Sequence, residues 1–160
     1  MKHALIATLL LGLAAAAAAS EQSICSTAKG AFLTGTVSTA PKFTAATQTI
    51  QGVQLSHTHL SLVADQDGKT YDVAIDNVFA VDYVKNAKTV PASLAAIKVN
   101  DRLELCGAKY TSGVGIHWVH TNCGDTPTKS APNGWVKRFT SSTAVGSNLE
   151  RSQTYCYLWD

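Results

Sequence analysis

The chain has 160 residues, four cysteines and a formal net charge of +2 at pH 7, from 13 basic and 11 acidic side chains. Acids and bases are mixed along the chain, which excludes the basic stripe of a nucleic-acid surface and a long charged tail. The length suits a single domain with its own hydrophobic core.

The first residues have the layout of a secretory signal peptide. Met1-Lys2-His3 forms a short basic start, and an apolar, alanine-rich run follows as far as Ala19. The apolar part is too short to predict a membrane span. We therefore expect residues 1–19 to be a signal peptide and 20–160 to be one exported domain, periplasmic or secreted, with a loop-rich C-terminal tail.

Alternating apolar and polar residues predict five strands, and Pro91 followed by alanines and leucine predicts one short helix. The order is three strands, a helix and two strands, which is that of the OB-fold, a small Greek-key barrel. We therefore predict a mainly all-β, OB-like barrel. The strands are expected near 32–38, 58–64, 70–76, 101–110 and 114–121, and the helix near 91–97.

Strands two and three are predicted to form a hairpin around Asp65–Gly68. His57 and His59 alternate with Leu60 and therefore face away from the core. A two-residue turn sets His59 opposite Asp76, whereas a four-residue turn sets His57 opposite Asp76. Either register forms a His–Asp pair on the face that OB-folds use for ligands. The pair is interpreted either as a surface contact that fixes the register or as part of a metal or proton-relay site.

Strand five contains a second cluster, His117, Trp118 and His120, with Asp125 shortly after it. Strand alternation places His117 and His120 on opposite faces. They can share one metal only if a bulge intervenes or the strand ends at Val119. Trp118 is predicted to be largely buried as a core aromatic residue, so that Trp118→Ala should cost about 3–5 kcal/mol.

This segment resembles an uncharacterised family of small exported bacterial proteins. The resemblance rests on Gly115-Ile116-His117-Trp118-Val119-His120, then Asp125, then Gly134-Trp135-Val136-Lys137. It covers about the second half of the domain. It implies a bacterial protein with an OB-like barrel, and it implies no established activity.

The four cysteines are predicted to form two disulfides in an oxidising compartment. Cys106 and Cys123 lie on the two arms of one predicted hairpin, offset by roughly 13 Å along the strand, which is too far for a bond. Cys25 precedes strand one, which lies beside strand four in an OB barrel, and can therefore meet Cys106. The predicted pairs are Cys25–Cys106 and Cys123–Cys156.

Two functions are consistent with these patterns. The first is an exported, non-catalytic OB-like domain that binds a small molecule, a glycan, an oligonucleotide or a protein, although the charge does not support nucleic acid. The second is a metal-dependent hydrolase, of phosphodiesterase or nuclease type, in which His117, His120 and Asp125 hold the ion. No cofactor is expected for the first, and a divalent metal for the second. The candidate binding residues are His57, His59, Asp76, His117, Trp118 and Trp135.

Overall fold

A computed structural model of the chain describes residues 20–159, so the predicted signal peptide lies outside the described residues. A helix, α1, covers 20–27, and a second, α2, covers Ala92–Ala95. The strands are β1 (Ala31–Thr44), β2 (Thr49–Ile50), β3 (Val53–Gln54), β4 (His57–Ala64), β5 (Thr70–Asp76), β6 (Arg102–Lys109), β7 (Gly115–His117) and β8 (Trp135–Arg138). Short 3-10 turns lie at Asn77–Phe79 and Cys156–Trp159.

Five strands close into a barrel in the order β1-β4-β5-β7-β6, and β6 pairs back with β1. The β5–β7 pair is parallel and the other pairs are antiparallel. The helix α2 lies in the connection between the third and fourth barrel strands. The predicted mainly β, OB-like barrel with a short helix between its third and fourth strands is therefore confirmed, whereas α1 was not predicted.

Several elements differ in length from their predictions. β1 is longer than 32–38, because irregularities after Val37 and Thr39 bend it so that it pairs with both β6 and β4. The small β2–β3 hairpin and β8 were not predicted. β8 pairs with the first half of β6, within a stretch expected to be loop. β7 has three residues where eight were predicted, and this difference shapes the candidate site described below.

The barrel core is apolar and follows the predicted alternation in β4. Leu60 and Leu62 point inward with almost no exposure, whereas His57 and His59 point outward and are half-buried. Leu94 of α2 packs into the same core. The inward side chains of β4 fix which side chains of the strand reach the outer face, and that face carries the candidate site.

Two disulfides connect the barrel to its flanking segments. Cys25–Cys106 joins α1 to β6 with a Cα–Cα distance of 5.7 Å, and Cys123–Cys156 joins the segment after β7 to the C-terminal turn at 5.6 Å. Both predicted pairs are confirmed. Two disulfides are typical of chains that fold in an oxidising environment outside the cytoplasm. Neither helix in residues 20–159 has the length and apolar character needed to span a membrane.

Candidate functional site

A cavity of about 350 Å³ lies against the outer face of β4 and β5. Its wall contains side chains from β4, β5, β7 and the C-terminal turn, which are distant in sequence. They include His57, Asp76, Phe79, His117, Trp118, His120 and Trp159. Strand pairing positions His57, Asp76 and His117, and Phe79 lies in the 3-10 turn that directly follows β5. An irregular turn and a disulfide position the remaining side chains.

The turn after β7, which we call the β7 corner (residues 117–121), ends the strand at His117. Trp118 has a left-handed backbone conformation, with φ of +53°, and a β-strand cannot continue through it. The prediction of a strand over 114–121 is therefore wrong beyond His117. Because the alternation is interrupted, His117 and His120 line the same cavity instead of opposite faces.

Gly134 holds the β7 corner against β6. Its N–H donates to the carbonyl oxygen of His120 at 2.7 Å. A Cβ at this position would collide with the carbonyl oxygens of Trp118 and Cys106, so no larger residue fits. The glycine of the Gly134-Trp135 pair thus has a packing role at the site.

Trp118 does not belong to the apolar core as predicted, because the corner gives that position to Val119, which is fully buried. Trp118 is only partly buried and lies against the ring of His120, with ring centroids 4.9 Å apart. His120 stacks on Phe79 at 3.9 Å, and Phe79 stacks on Trp159 at 5.2 Å. The four rings lie in succession along the cavity, with the Trp118 ring tilted by 31° to His120 and the other three stacked, and we call them the aromatic column.

Asp76 is the polar centre of the cavity. It lies opposite His57 in the β4–β5 ladder, which is the register of the four-residue turn. Nε2 of His57 lies 2.6 Å from Oδ1 of Asp76. This hydrogen bond raises the pKa of His57 against the opposing effect of burial. Burial alone would raise the pKa of Asp76, but its contacts with His120 and His57 outweigh burial and hold that pKa well below its usual range.

His120 reaches the same carboxylate from the β7 corner and is only 2% exposed. Its Nδ1 donates to the carbonyl oxygen of Thr121 at 2.7 Å, so Nδ1 carries a hydrogen. Nε2 lies 3.2 Å from Oδ2 of Asp76, yet no described residue offers it a partner with hydrogen-bond geometry. This contact is therefore a charge attraction when the ring is doubly protonated, and it is weaker than the His57–Asp76 hydrogen bond.

His59 takes part in a second polar group outside the cavity. Its Nδ1 lies 2.9 Å from Oδ1 of Asp72, and the hydroxyl of Tyr110 donates to Oδ2 of Asp72 at 2.6 Å. Burial and this hydrogen bond raise the pKa of Tyr110. The ring of His117 contacts the Tyr110 ring edge-on. Burial lowers the pKa of His117. Asp72 and Tyr110 were not predicted, although the outward alternation of β5 puts Asp72 on this face.

The remaining predicted residues lie in different places. Asp125 is exposed at the rim of the cavity. Trp135 is buried beside the Cys25–Cys106 disulfide, where its Nε1 donates to Glu104 at 3.0 Å, so the structure does not bring it to the cavity. Within residues 20–159, no three His, Cys, Asp or Glu side chains are already arranged to hold a metal ion.

Sequence reasoning missed Phe79, Trp159 and Glu150. The Cys123–Cys156 bond holds the C-terminal turn near the corner, and this brings Trp159 onto Phe79. Glu150 is fully buried, both of its side-chain oxygens lack a hydrogen-bond partner among residues 20–159, and burial raises its pKa well above the usual value. The sequence pointed towards the C-terminal aromatic residues in two ways, through the predicted Cys123–Cys156 bond and through the aromatic run at 155–159, which was expected to pack back on the barrel.

Comparison of the chain with protein-family models, curated proteins and solved structures finds no match. The barrel that the resemblance implies is present, and membership of that family stays a prediction.

Proposed function

We propose that this chain is an exported, non-catalytic binding domain that holds a small ring-shaped molecule in the cavity beside the aromatic column. The observation that carries the proposal is the column itself. Its end members, Trp118 and Trp159, are partly exposed at the cavity while its middle members are buried. Exposed aromatic rings in a concave site are typical of ligand binding, because they supply large apolar area at low entropic cost.

The position and size of the cavity favour a small molecule. The outer face of the second and third barrel strands is the face that OB-folds use for ligands. A volume of about 350 Å³ lies within the range of small-molecule sites. A folded protein partner would need a much wider contact surface, of about 800 Å² on each side.

Charge argues against an oligonucleotide. The described cavity wall contains the carboxylates of Asp76 and Asp125 and contains no lysine or arginine. Binding of single strands depends on a positively charged groove that follows the phosphates. A neutral or cationic ring is therefore the better fit.

The hydrolase alternative has less support. His117, His120 and Asp125 line one cavity, but one nitrogen of His120 is already bound to Thr121 and the other is buried against Asp76. Only Nε2 of His120 could therefore bind an ion, and that atom is buried in a ring packed between Phe79 and Trp118. A periplasmic or secreted location in a bacterium is part of the proposal and agrees with the two disulfides.

Nuclear magnetic resonance of the indole N–H groups tests the proposal. A panel of monosaccharides, free nucleobases and primary amines is added to the full chain. We expect at least one compound to shift the Trp118 and Trp159 signals in a saturable way and to be recovered unchanged. Trp135 is the internal control, because it lies outside the cavity and its signal should not move.

The matched variant is Trp118→Ala, which should abolish the response of Trp159 to that compound. Chemical conversion of the bound compound would contradict a non-catalytic role. Shifts confined to Trp135, or no saturable shift with any compound, would contradict the position of the site.

A further inference from the structure

Three histidines surround Ala74 on the outer face of the barrel. His59 of β4 pairs directly with Ala74 of β5, and His57 lies two residues away on the same face of β4. On the other side of β5, Val73 pairs with Ile116 of β7, so the next residues, Ala74 and His117, are neighbours. Adjacent strands lie about 4.8 Å apart, which puts the His59 and His117 backbones roughly 10 Å apart with one methyl group between them.

Each of the three rings keeps at least one nitrogen without a partner among the described residues. His57 uses Nε2 to contact Asp76, and His59 uses Nδ1 to contact Asp72. The ring of His117 makes an edge contact with Tyr110 and no side-chain hydrogen bond within residues 20–159. The rings of His57 and His59 already lie close together, with centroids 6.2 Å apart.

The carboxylates beside these histidines form the arrangement that metal-binding imidazoles usually have. A histidine that binds a metal generally donates its other ring N–H to a carboxylate, which fixes the ring and increases its basicity. Asp72 and Asp76 can accept such hydrogen bonds from His59 and His57, and they lie two residues before and two residues after Ala74 on the same face of β5. Asp72 is itself held by the Tyr110 hydroxyl at 2.6 Å. One His–Asp pair would be enough to fix the register of β4 and β5, whereas the outer face of these strands has two.

We propose that His57, His59 and His117 bind one divalent transition-metal ion, with Zn²⁺ as the reference ion, above the Ala74 methyl group. Three neutral imidazoles at about 2.0–2.1 Å and one open position form a common zinc site. The three rings are not yet arranged around one point, so binding requires rotation of the side chains, mainly of His117. His117 is only half-buried, and Ala74 leaves room beneath the rings.

This site differs from the metal set predicted from sequence. It uses His117 but neither His120 nor Asp125, because His120 is packed inside the aromatic column. His57 and His117 also line the cavity, so the open coordination position adjoins it. The inference does not depend on the proposed small-molecule ligand, since the metal alone is the probe.

Calorimetric titration of the full chain with Zn²⁺ tests the proposal, in a His3→Gln background that removes the histidine next to the N-terminus. We expect one ion per chain. The variants His57→Gln, His59→Gln and His117→Gln should each weaken binding at least tenfold. Asp72→Asn should weaken it about 10–100-fold by releasing the His59 ring. Ala74→Leu should also weaken it by filling the space beneath the ion, and it changes none of the histidines.

Asp125→Asn is the matched control, because it removes a carboxylate at the cavity rim without touching the three rings. Its affinity should equal that of the parent chain. Co²⁺ provides a second readout that does not depend on activity: a four-coordinate site gives intense visible absorption, and His117→Gln should reduce it. Thermal unfolding of every variant checks that the fold is retained.

Three results would overturn the proposal. If His117→Gln bound Zn²⁺ with the affinity of the parent chain, His117 would not be a ligand, and the ion would be held only by His57 and His59 at the surface. A loss of affinity in Asp125→Asn would favour the metal set predicted from sequence. Zn²⁺ binding that is not stoichiometric in the parent chain would show that the two His–Asp pairs only stabilise the sheet.

Discussion

The β4–β5 hairpin and the β7 corner both supply histidines to one cavity, but they position them in different ways. In the hairpin, seven consecutive cross-strand pairs hold His57 and His59 on the outer face. In the corner, β7 pairs with β5 at only two positions before Trp118 breaks the strand. Regular pairing makes the hairpin side of the site rigid and predictable. The corner depends on one strained residue, one close glycine contact and a disulfide.

Removal of each disulfide in turn tests how the barrel and the corner contribute to stability. The double variant Cys25→Ser/Cys106→Ser opens a loop with a separation of 81 residues and should lower the free energy of unfolding by about 4–5 kcal/mol on the chain-entropy model. Cys123→Ser/Cys156→Ser opens one of 33 residues, and the same model expects a slightly smaller loss, of about 3–4 kcal/mol. Urea unfolding measures both.

The difference between the two variants should be clearer in the cavity than in stability. Only Cys123→Ser/Cys156→Ser should change the Trp159 indole signal, since that bond holds the C-terminal turn against Phe79. If the Cys25→Ser/Cys106→Ser variant changed that signal equally at a urea concentration where both are folded, the aromatic column would depend on the whole barrel.

Truncation of a large side chain should lower the free energy of unfolding more in the hairpin than in the corner. Leu60→Ala removes a side chain that is 2% exposed in the barrel and should cost about 2–5 kcal/mol. Trp118→Ala should cost less than about 2 kcal/mol, because the ring is partly exposed and already sits on a left-handed backbone. This replaces the 3–5 kcal/mol expected from sequence. Equal losses in the two urea midpoints would mean that Trp118 behaves as a core residue.

Glycine substitutions compare the two turns directly. Gly134→Ala places a methyl group against the carbonyl oxygens of Trp118 and Cys106 and should cost about 1–3 kcal/mol. Gly68→Ala in the hairpin turn meets no atom within 4 Å, so it should cost only about 1 kcal/mol, for its positive φ. Thermal unfolding of both variants measures the difference. A smaller loss at Gly134 than at Gly68 would show that the corner can move away from the added methyl group.

The hairpin could be predicted from the sequence because alternation and turn chemistry are local. Two registers remained open, since either turn length keeps Leu60 and Leu62 in the core, and only the closed barrel selects the one that pairs His57 with Asp76. The disulfides were predictable because strand order and offset left few partners for Cys106 and Cys123.

The corner could not be predicted in the same way. A left-handed tryptophan is disfavoured by local sterics, so no pattern in the sequence signals it, and the tertiary contact at Gly134 compensates for it. The error at Trp118 then propagated to His117 and His120, because alternation assigned them to opposite faces. Trp159 was missed for a related reason: its place depends on a disulfide and on Phe79, which belonged to no predicted element.

Glu150, buried behind the corner, has no counterpart in the hairpin. Its carbonyl oxygen accepts the N–H of Thr121, and its carboxyl group has no hydrogen-bond partner in the part of the chain that the structure describes. Burial, followed by the negative charges of Asp76 and Asp82, raises its folded pKa well above the ordinary value of 4.5. The neutral acid is therefore the form that the folded chain favours. Its stabilising contribution is complete below about pH 4.5 and is lost as the pH rises through the raised folded value.

We therefore expect Glu150→Gln to flatten the dependence of stability on pH. Between the unfolded and the folded pKa of Glu150, the free energy of unfolding of the parent chain should fall by about 1.4 kcal/mol per pH unit more than that of the variant. Urea unfolding at intervals between pH 5 and pH 8 measures this. Above pH 5 the aspartates with lowered pKa, including Asp65, are ionised in both folded and unfolded chains and add no slope. The parent and the variant share His57, so its titration cancels in the difference. Parallel pH profiles would mean that Glu150 reaches water or a partner, and that the corner is less tightly closed than its burial indicates.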